Sequence, residues 1–112
     1  MVDVKDKGIL LNMIDHCNRV EEKISSVTRT EFDNSKDMKD IVCFNIFQIG
    51  ELAKHLSEAF IAEFNGVPWH KIKGMRNIIG HGYGTLKMDR VWITATKDII
   101  QLKEYCESVI AS

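Results

Sequence analysis

Three observations predict an all-α fold, with four principal helices in an up-down bundle and one short extra helical turn. Apolar residues recur at three- and four-residue steps over long segments, no segment sustains period-two alternation, and helix start and stop residues punctuate the chain. Each amphipathic helix has one apolar stripe to bury, and a bundle buries them against one another.

The first helix spans about 4–25, where Ile9, Leu10, Met13, Ile14, Cys17, Val20 and Ile24 form the stripe. Residues 26–34 are polar around Phe32, and Thr28 with Glu31 has the capping-box spacing of a short helical turn. A long second helix is expected over about 35–64, ending at Asn65-Gly66 with glycine as a left-handed cap residue. Its middle, Ile41 to Ile49, is apolar all round, whereas a single stripe would satisfy a monomeric bundle. A second buried surface follows, most simply against a symmetry mate, so a homodimer is expected. Pro68 suits a helix start, and the third helix should run from Trp69 through Ile79 before Gly80, Gly82 and Gly84 loosen it. The fourth helix, about 88–111, carries Val91, Trp92, Ala95, Ile99, Leu102, Cys106 and Val109.

With 112 residues, 45% hydrophobic, 28% charged and one proline, the chain reads as one domain over 1–112, and disordered and fibrous classes are excluded. No apolar stretch approaches the roughly 20 residues of a membrane span, and the start lacks the apolar core of a signal peptide. A cytoplasmic protein is expected. Cys17, Cys43 and Cys106 form no Cys-x-x-Cys pair and read as buried thiols, while His16, His55, His70 and His81 show no zinc-ligand spacing. Chemistry without metal or cofactor is therefore expected. Trp69 and Trp92 read as core anchors, and Glu51, inside an apolar helix, needs a basic partner.

A net charge of −1 argues by itself against a nucleic-acid binder, but the distribution is uneven. Residues 70–90 hold Lys71, Lys73, Arg76, Lys87 and Arg90 against Asp89 alone, a local positive run in which Lys71 and Lys73 are candidate RNA contacts. Within it lies Arg76-Asn77-Ile78-Ile79-Gly80-His81-Gly82-Tyr83. On an uninterrupted helix Arg76 and His81 would point about 140° apart, so one rigid helix cannot aim both at one phosphate. Glycines flanking His81 can end the helix there, and a two-fold dimer can bring two such segments into one cleft. Arginine plus histidine without a metal suits cleavage of a phosphodiester that carries its own nucleophile, the ribose 2′-hydroxyl. Histidine moves the protons and the guanidinium stabilises the charge that builds on phosphorus oxygens, so RNA is cut and DNA spared. Asn77 can orient the histidine or hold a phosphate oxygen.

Spacing alone leaves that triplet unspecific, but the chain also carries Ile49-Gly50-Glu51-Leu52-Ala53-Lys54, Val67-Pro68-Trp69-His70-Lys71-Ile72, Gly74-Met75-Arg76-Asn77, His81-Gly82-Tyr83 and Val91-Trp92. In that order these resemble the HepT-like family of HEPN-domain proteins over nearly the whole chain, with the hallmark Arg-x4–6-His-x-Tyr matched by Arg76, His81 and Tyr83. The resemblance implies a toxin ribonuclease of a two-gene toxin–antitoxin module, a homodimer with paired Arg76 and His81 in its cleft. It also implies a minimal nucleotidyltransferase antitoxin that transfers AMP to Tyr83 and so blocks RNA entry. A non-catalytic module that binds or presents nucleotide for that partner, and a plain dimeric scaffold, are the other classes. The Arg76/His81 pair favours the enzyme, since a scaffold has no need of it.

Overall fold

The computed structural model describes residues 2–80 and 87–112, so His81 and Tyr83 lie outside the described residues. Within them every regular element is helical: α1 (Val4–Ile24), α2 (Arg29–Asp33), α3 (Lys36–Ala53), α4 (Glu58–Glu63), α5 (Trp69–Gly80), α6 (Met88–Ile93) and α7 (Ile99–Ala111), with a π-helical turn over Thr94–Asp98 joining the last two. The fold is the expected all-α, HEPN-like bundle, its principal helices being α1, α3, α5 and the α6–α7 rod.

Helices α1 to α4 begin where polar side chains take up orphan amide hydrogens. Asp3 accepts from the Asp6 amide at 2.8 Å and Ser35 from the Met38 amide at 3.1 Å. At α2 the anticipated capping box is complete, with the Glu31 amide donating to Thr28 Oγ1 at 3.1 Å and the Thr28 amide to Glu31 Oε1 at 2.9 Å.

Cross-helix bonds fix the directions. Near the start of α1, Asp6 meets Ser57 beyond the end of α3, while farther along His16 Nδ1–H donates to Asn45 Oδ1 at 2.7 Å, so α1 and α3 run antiparallel. Asn45 Nδ2 donates to the Ile41 carbonyl at 2.8 Å, which leaves its oxygen as the acceptor for the histidine. Lys103 Nζ reaches Glu21 Oε2 at 3.0 Å, tying α7 to the end of α1. The core between these helices is the stripe of α1 (Leu10, Met13, Cys17, Val20) against Val42, Ile46 and Ile49 of α3 and Ile99, Leu102 and Cys106 of α7. Burial pushes the Cys17 and Cys106 thiols up to about 12 and that of Cys43 up to about 11, so at neutral pH all three are protonated packing groups. Trp69 is buried as expected, while Trp92 is half-buried against Phe32, ring centroids 5.3 Å apart.

Three expectations need correction. The second helix does not run unbroken over 35–64, because α3 stops at Ala53 and a new helix, α4, starts after Ser57. Ser57 Oγ accepts from the Phe60 amide at 3.1 Å as a helix cap, and Asp6, only 2% exposed, accepts from the Ser57 amide at 2.9 Å and its hydroxyl at 2.7 Å. Capping thus competes successfully with helix propagation. Gly66 is not in the left-handed conformation; its amide donates to Tyr105 Oη at 3.0 Å, and a side chain there would overlap the Tyr105 ring. The fourth helix is also not uniformly α: Thr96 Oγ1 donates to the Trp92 carbonyl at 2.7 Å within the π-helical turn. That carbonyl is the one a regular ladder would give to the Thr96 amide.

Asp6→Ala is expected to lower the unfolding free energy by about 1–3 kcal/mol, since two donors of Ser57 lose their buried acceptor. Asp6→Asn, which keeps one acceptor oxygen, should cost less, and urea unfolding followed by circular dichroism measures both. An unchanged midpoint for Asp6→Ala would refute this account of the helix break.

Candidate functional site at the crossing of α3 and α5

Helices α3 and α5 meet closely because α3 presents Gly50. A Cβ there would stand 2.8 Å from the Arg76 amide nitrogen, 3.0 Å from Arg76 Cβ and 3.1 Å from the Ile72 carbonyl oxygen. The two backbones therefore touch at the residue from which the Arg76 side chain springs. Ile72, buried, and Met75 and Ile79, half-buried, turn the same helix toward Ile46 of α3 and Val91 of α6, fixing its rotation.

That rotation brings Arg76 over the outer flank of α3. Its Nε pairs with Glu51 Oε1, its guanidinium carbon lies 5.8 Å from the centre of the Phe47 ring, and Nη1 donates to Asn77 Oδ1 at 3.2 Å. Lys54 Nζ approaches the same Glu51 oxygen at 3.7 Å. The basic partner expected for Glu51 is thus Arg76, helped by Lys54. Side-chain exposures of 42% for Arg76 and 31% for Glu51 place the pair at the protein–water boundary, where a ligand can reach it without unfolding.

Of the sequence-derived candidates, the structure brings together Arg76 and Asn77, neighbours on the outer end of α5. Lys73 precedes Arg76 by three residues, about 60° away around the helix axis, and is half-buried. Lys71 points about 140° from Arg76 and lines a different groove, between α5 and the α6–α7 rod, with Arg90, Asp98 and Gln101. The positive run of 70–90 is therefore split between two faces, and its Asp89 is paired with Arg29 at 2.6 Å. His81 and Tyr83, two residues of the hallmark, follow the last described residue of α5 and lie outside the described residues.

The apolar circumference of α3 resolves into two faces. Val42, Cys43, Ile46 and Ile49 are buried in the bundle, whereas Phe44 is 56% and Ile41 36% exposed. Phe47, half-buried under Arg76, continues that outer face up to the ion pair. Sequence reasoning missed Phe47 as the seat of the arginine and Gly50 as the point of contact. The signal was present, since Phe47 and Glu51 are four residues apart and share one helix face. Among the described residues no three His, Cys, Asp or Glu side chains converge as a metal's ligands would, and no helix is long and apolar enough to cross a membrane.

Comparison with known proteins matches most of the sequence to a family. Residues 13–109 match the family described as "Ribonuclease HepT-like". Three similar proteins carry related names. "Gamma-glutamylcyclotransferase and putative RNase MJ0434" of Methanocaldococcus jannaschii is 34% identical over 101 residues, 89% of this chain and 46% of that protein. "Putative RNase MJ1380" of the same organism is 28% identical over 103 residues, 92% of this chain and 94% of the other. "Putative RNase TTE0752" of Caldanaerobacter subterraneus subsp. tengcongensis is 24% identical over 101 residues, 90% of each chain. The chain thus spans about half the length of the first relative and nearly all of the other two, and no solved structure matches it significantly. With a family match over all but the ends of the chain and the hallmark arginine seated at the crossing of its two middle helices, this protein belongs to the HepT-like family.

Proposed function

We propose that the chain is the toxin of a toxin–antitoxin module: a cytoplasmic, metal-independent endoribonuclease that works as a homodimer and needs no cofactor. The observation that carries this reading is Arg76, a half-exposed guanidinium fixed at the α3–α5 crossing five residues before His81. The names of its relatives point to the same activity.

In the reaction, the ribose 2′-oxygen attacks phosphorus as His81 takes its proton. The 5′-oxygen of the next nucleotide departs with a proton from a second copy of His81, leaving a 2′,3′-cyclic phosphate. Arg76 stabilises the extra negative charge on the non-bridging oxygens, Asn77 holds its neighbour's guanidinium, and Lys71 and Lys73 attract the RNA backbone. The exposed Ile41 and Phe44 support dimerisation, because a second copy laid on that face would cover apolar surface continuous with Phe47 and bring two Arg76 residues toward one cleft. Regulation falls to Tyr83. Its phenol oxygen displaces pyrophosphate from the α-phosphorus of ATP on the minimal nucleotidyltransferase antitoxin, and the AMP left there adds negative charge and bulk beside the catalytic pair.

The test combines three measurements on the purified full chain. Light scattering at micromolar concentration should give about twice the chain mass, and RNA incubated in EDTA should be cut to cyclic-phosphate ends while DNA stays intact. Co-expression with the antitoxin should add AMP to a Tyr83 peptide in step with lost cleavage. A protein that gains AMP yet never cuts RNA would be the non-catalytic module instead, and a clean monomer would sink the shared cleft.

A further inference from the structure

The Glu51–Arg76 pair spans two helices and sets a carboxylate two residues from the end of α3, one turn beyond Phe47. Placing a charge there has a cost, and an apolar residue would pack at least as well against Phe47 if stability were the only demand. The contacts are also directional. Glu51 forms an ion pair at Nε, the inner edge of the guanidinium, while Nη1 donates a hydrogen bond to Asn77, so the fork is held at its base and on one side, with Nη2 as its remaining nitrogen. Phe47 lies across the guanidinium and limits its tilt. An arginine has several rotatable bonds, and a free one would have to be ordered at the moment of reaction. Here two helices order it beforehand.

We infer that Glu51 is a positioning residue for the phosphodiester cleavage: it holds Arg76 so that the outer edge of the guanidinium faces the reacting phosphate. This rests on the reading of Arg76 as catalytic. Lys54, the second cation beside Glu51, approaches the same carboxylate oxygen and helps to hold it. Because the guanidinium is set in advance, Glu51 acts on kcat more than on RNA affinity.

The experiment uses the purified chain in the oligomeric state it adopts and a doubly labelled, mixed-sequence oligoribonucleotide, read as initial rates, with circular dichroism confirming the fold of each variant. Glu51→Ala should lower kcat about 10- to 100-fold with KM within about threefold, the size expected of a misplaced catalytic group. Glu51→Gln, which keeps the shape of the side chain and an oxygen beside Nε, should recover most of the rate. In an Arg76→Ala background Glu51→Ala should add nothing. The Arg76 Nε–Hε proton, shielded from solvent in the wild type, should exchange with water faster in Glu51→Ala. Wild-type kcat in a folded Glu51→Ala variant overturns the inference while leaving Arg76 catalytic. A raised kcat would also overturn it, by making the pair a brake. Full activity in Arg76→Ala, or no RNA cleavage by the wild type, would overturn the parent reading and this inference with it.

Discussion

Replacing His81 or Arg76 by alanine is expected to lower the RNA cleavage rate about 10²–10⁴-fold in each case, and to end growth inhibition by the expressed protein. For His81 the loss is that of proton transfer, and raising the pH cannot restore it, because departure of the 5′-oxygen needs an acid as much as attack by the 2′-oxygen needs a base. For Arg76 the loss is that of a guanidinium fixed before substrate arrives. Stability should hardly change in Arg76→Ala, since the pair sits at the protein–water boundary and Glu51 retains Lys54 nearby. Arg76→Lys should recover little, because an ammonium is a single point of charge and cannot bond Glu51 with one edge while offering another to phosphate. The double variant should be no slower than the worse single one, as expected of groups acting on one transition state. Initial rates on labelled RNA, with unfolding curves alongside, decide the matter. Cleavage that survives loss of His81, or that requires a divalent metal, would refute the chemistry.

Periodicity made the helices legible because the apolar stripes of α1 and of the α6–α7 rod are uninterrupted, and the capping box at Thr28 and Glu31 is a local pattern with a local cause. The break after Ala53 was not legible for a physical reason. Half of its cause, Asp6, lies 51 residues away in the chain, and only the folded bundle brings that carboxylate to Ser57. Gly66 misled similarly: a glycine at a helix end suggests a left-handed turn, but here its small size serves the Tyr105 ring from α7. At the candidate site, the motif and the charge run single out Arg76 and Asn77, and the fold joins their side chains on α5. The partition of Lys71 and Lys73 onto different sides of α5 required knowing how that helix is rotated, which Gly50 and the Ile72 face decide. The apolar circumference of α3 belongs to two faces, of which the bundle covers one and leaves Ile41 and Phe44 exposed.

Gly50→Ala is expected to damage stability and activity together, through one contact. Glycine within a helix ordinarily costs roughly 0.5–1 kcal/mol relative to alanine, so on propensity alone the substitution should stabilise α3. The added methyl would, however, stand 2.8 Å from the Arg76 amide nitrogen and 3.1 Å from the Ile72 carbonyl oxygen. Both neighbours are backbone atoms inside α5 and cannot turn aside as a side-chain tip can, so the two helices must separate along their contact. Forced separation of a packed core costs about 1–3 kcal/mol, which outweighs the gain in propensity. The same displacement carries the Arg76 backbone away from Glu51 and Phe47, and a shift well under 1 Å at a catalytic group is enough for about a tenfold loss of rate, with larger shifts costing about 10²-fold. Gly8→Ala is the matching control, since a Cβ at Gly8 in α1 meets nothing within 4 Å and should stabilise by roughly 0.5–1 kcal/mol. Urea unfolding and initial rates on the same preparations separate the two consequences. A Gly50→Ala variant as stable as the wild type would show that the helices have room to spare. A destabilised variant with full activity per folded molecule would show that the close approach serves packing alone and that Arg76 is placed by its side-chain partners rather than by the crossing of the helices.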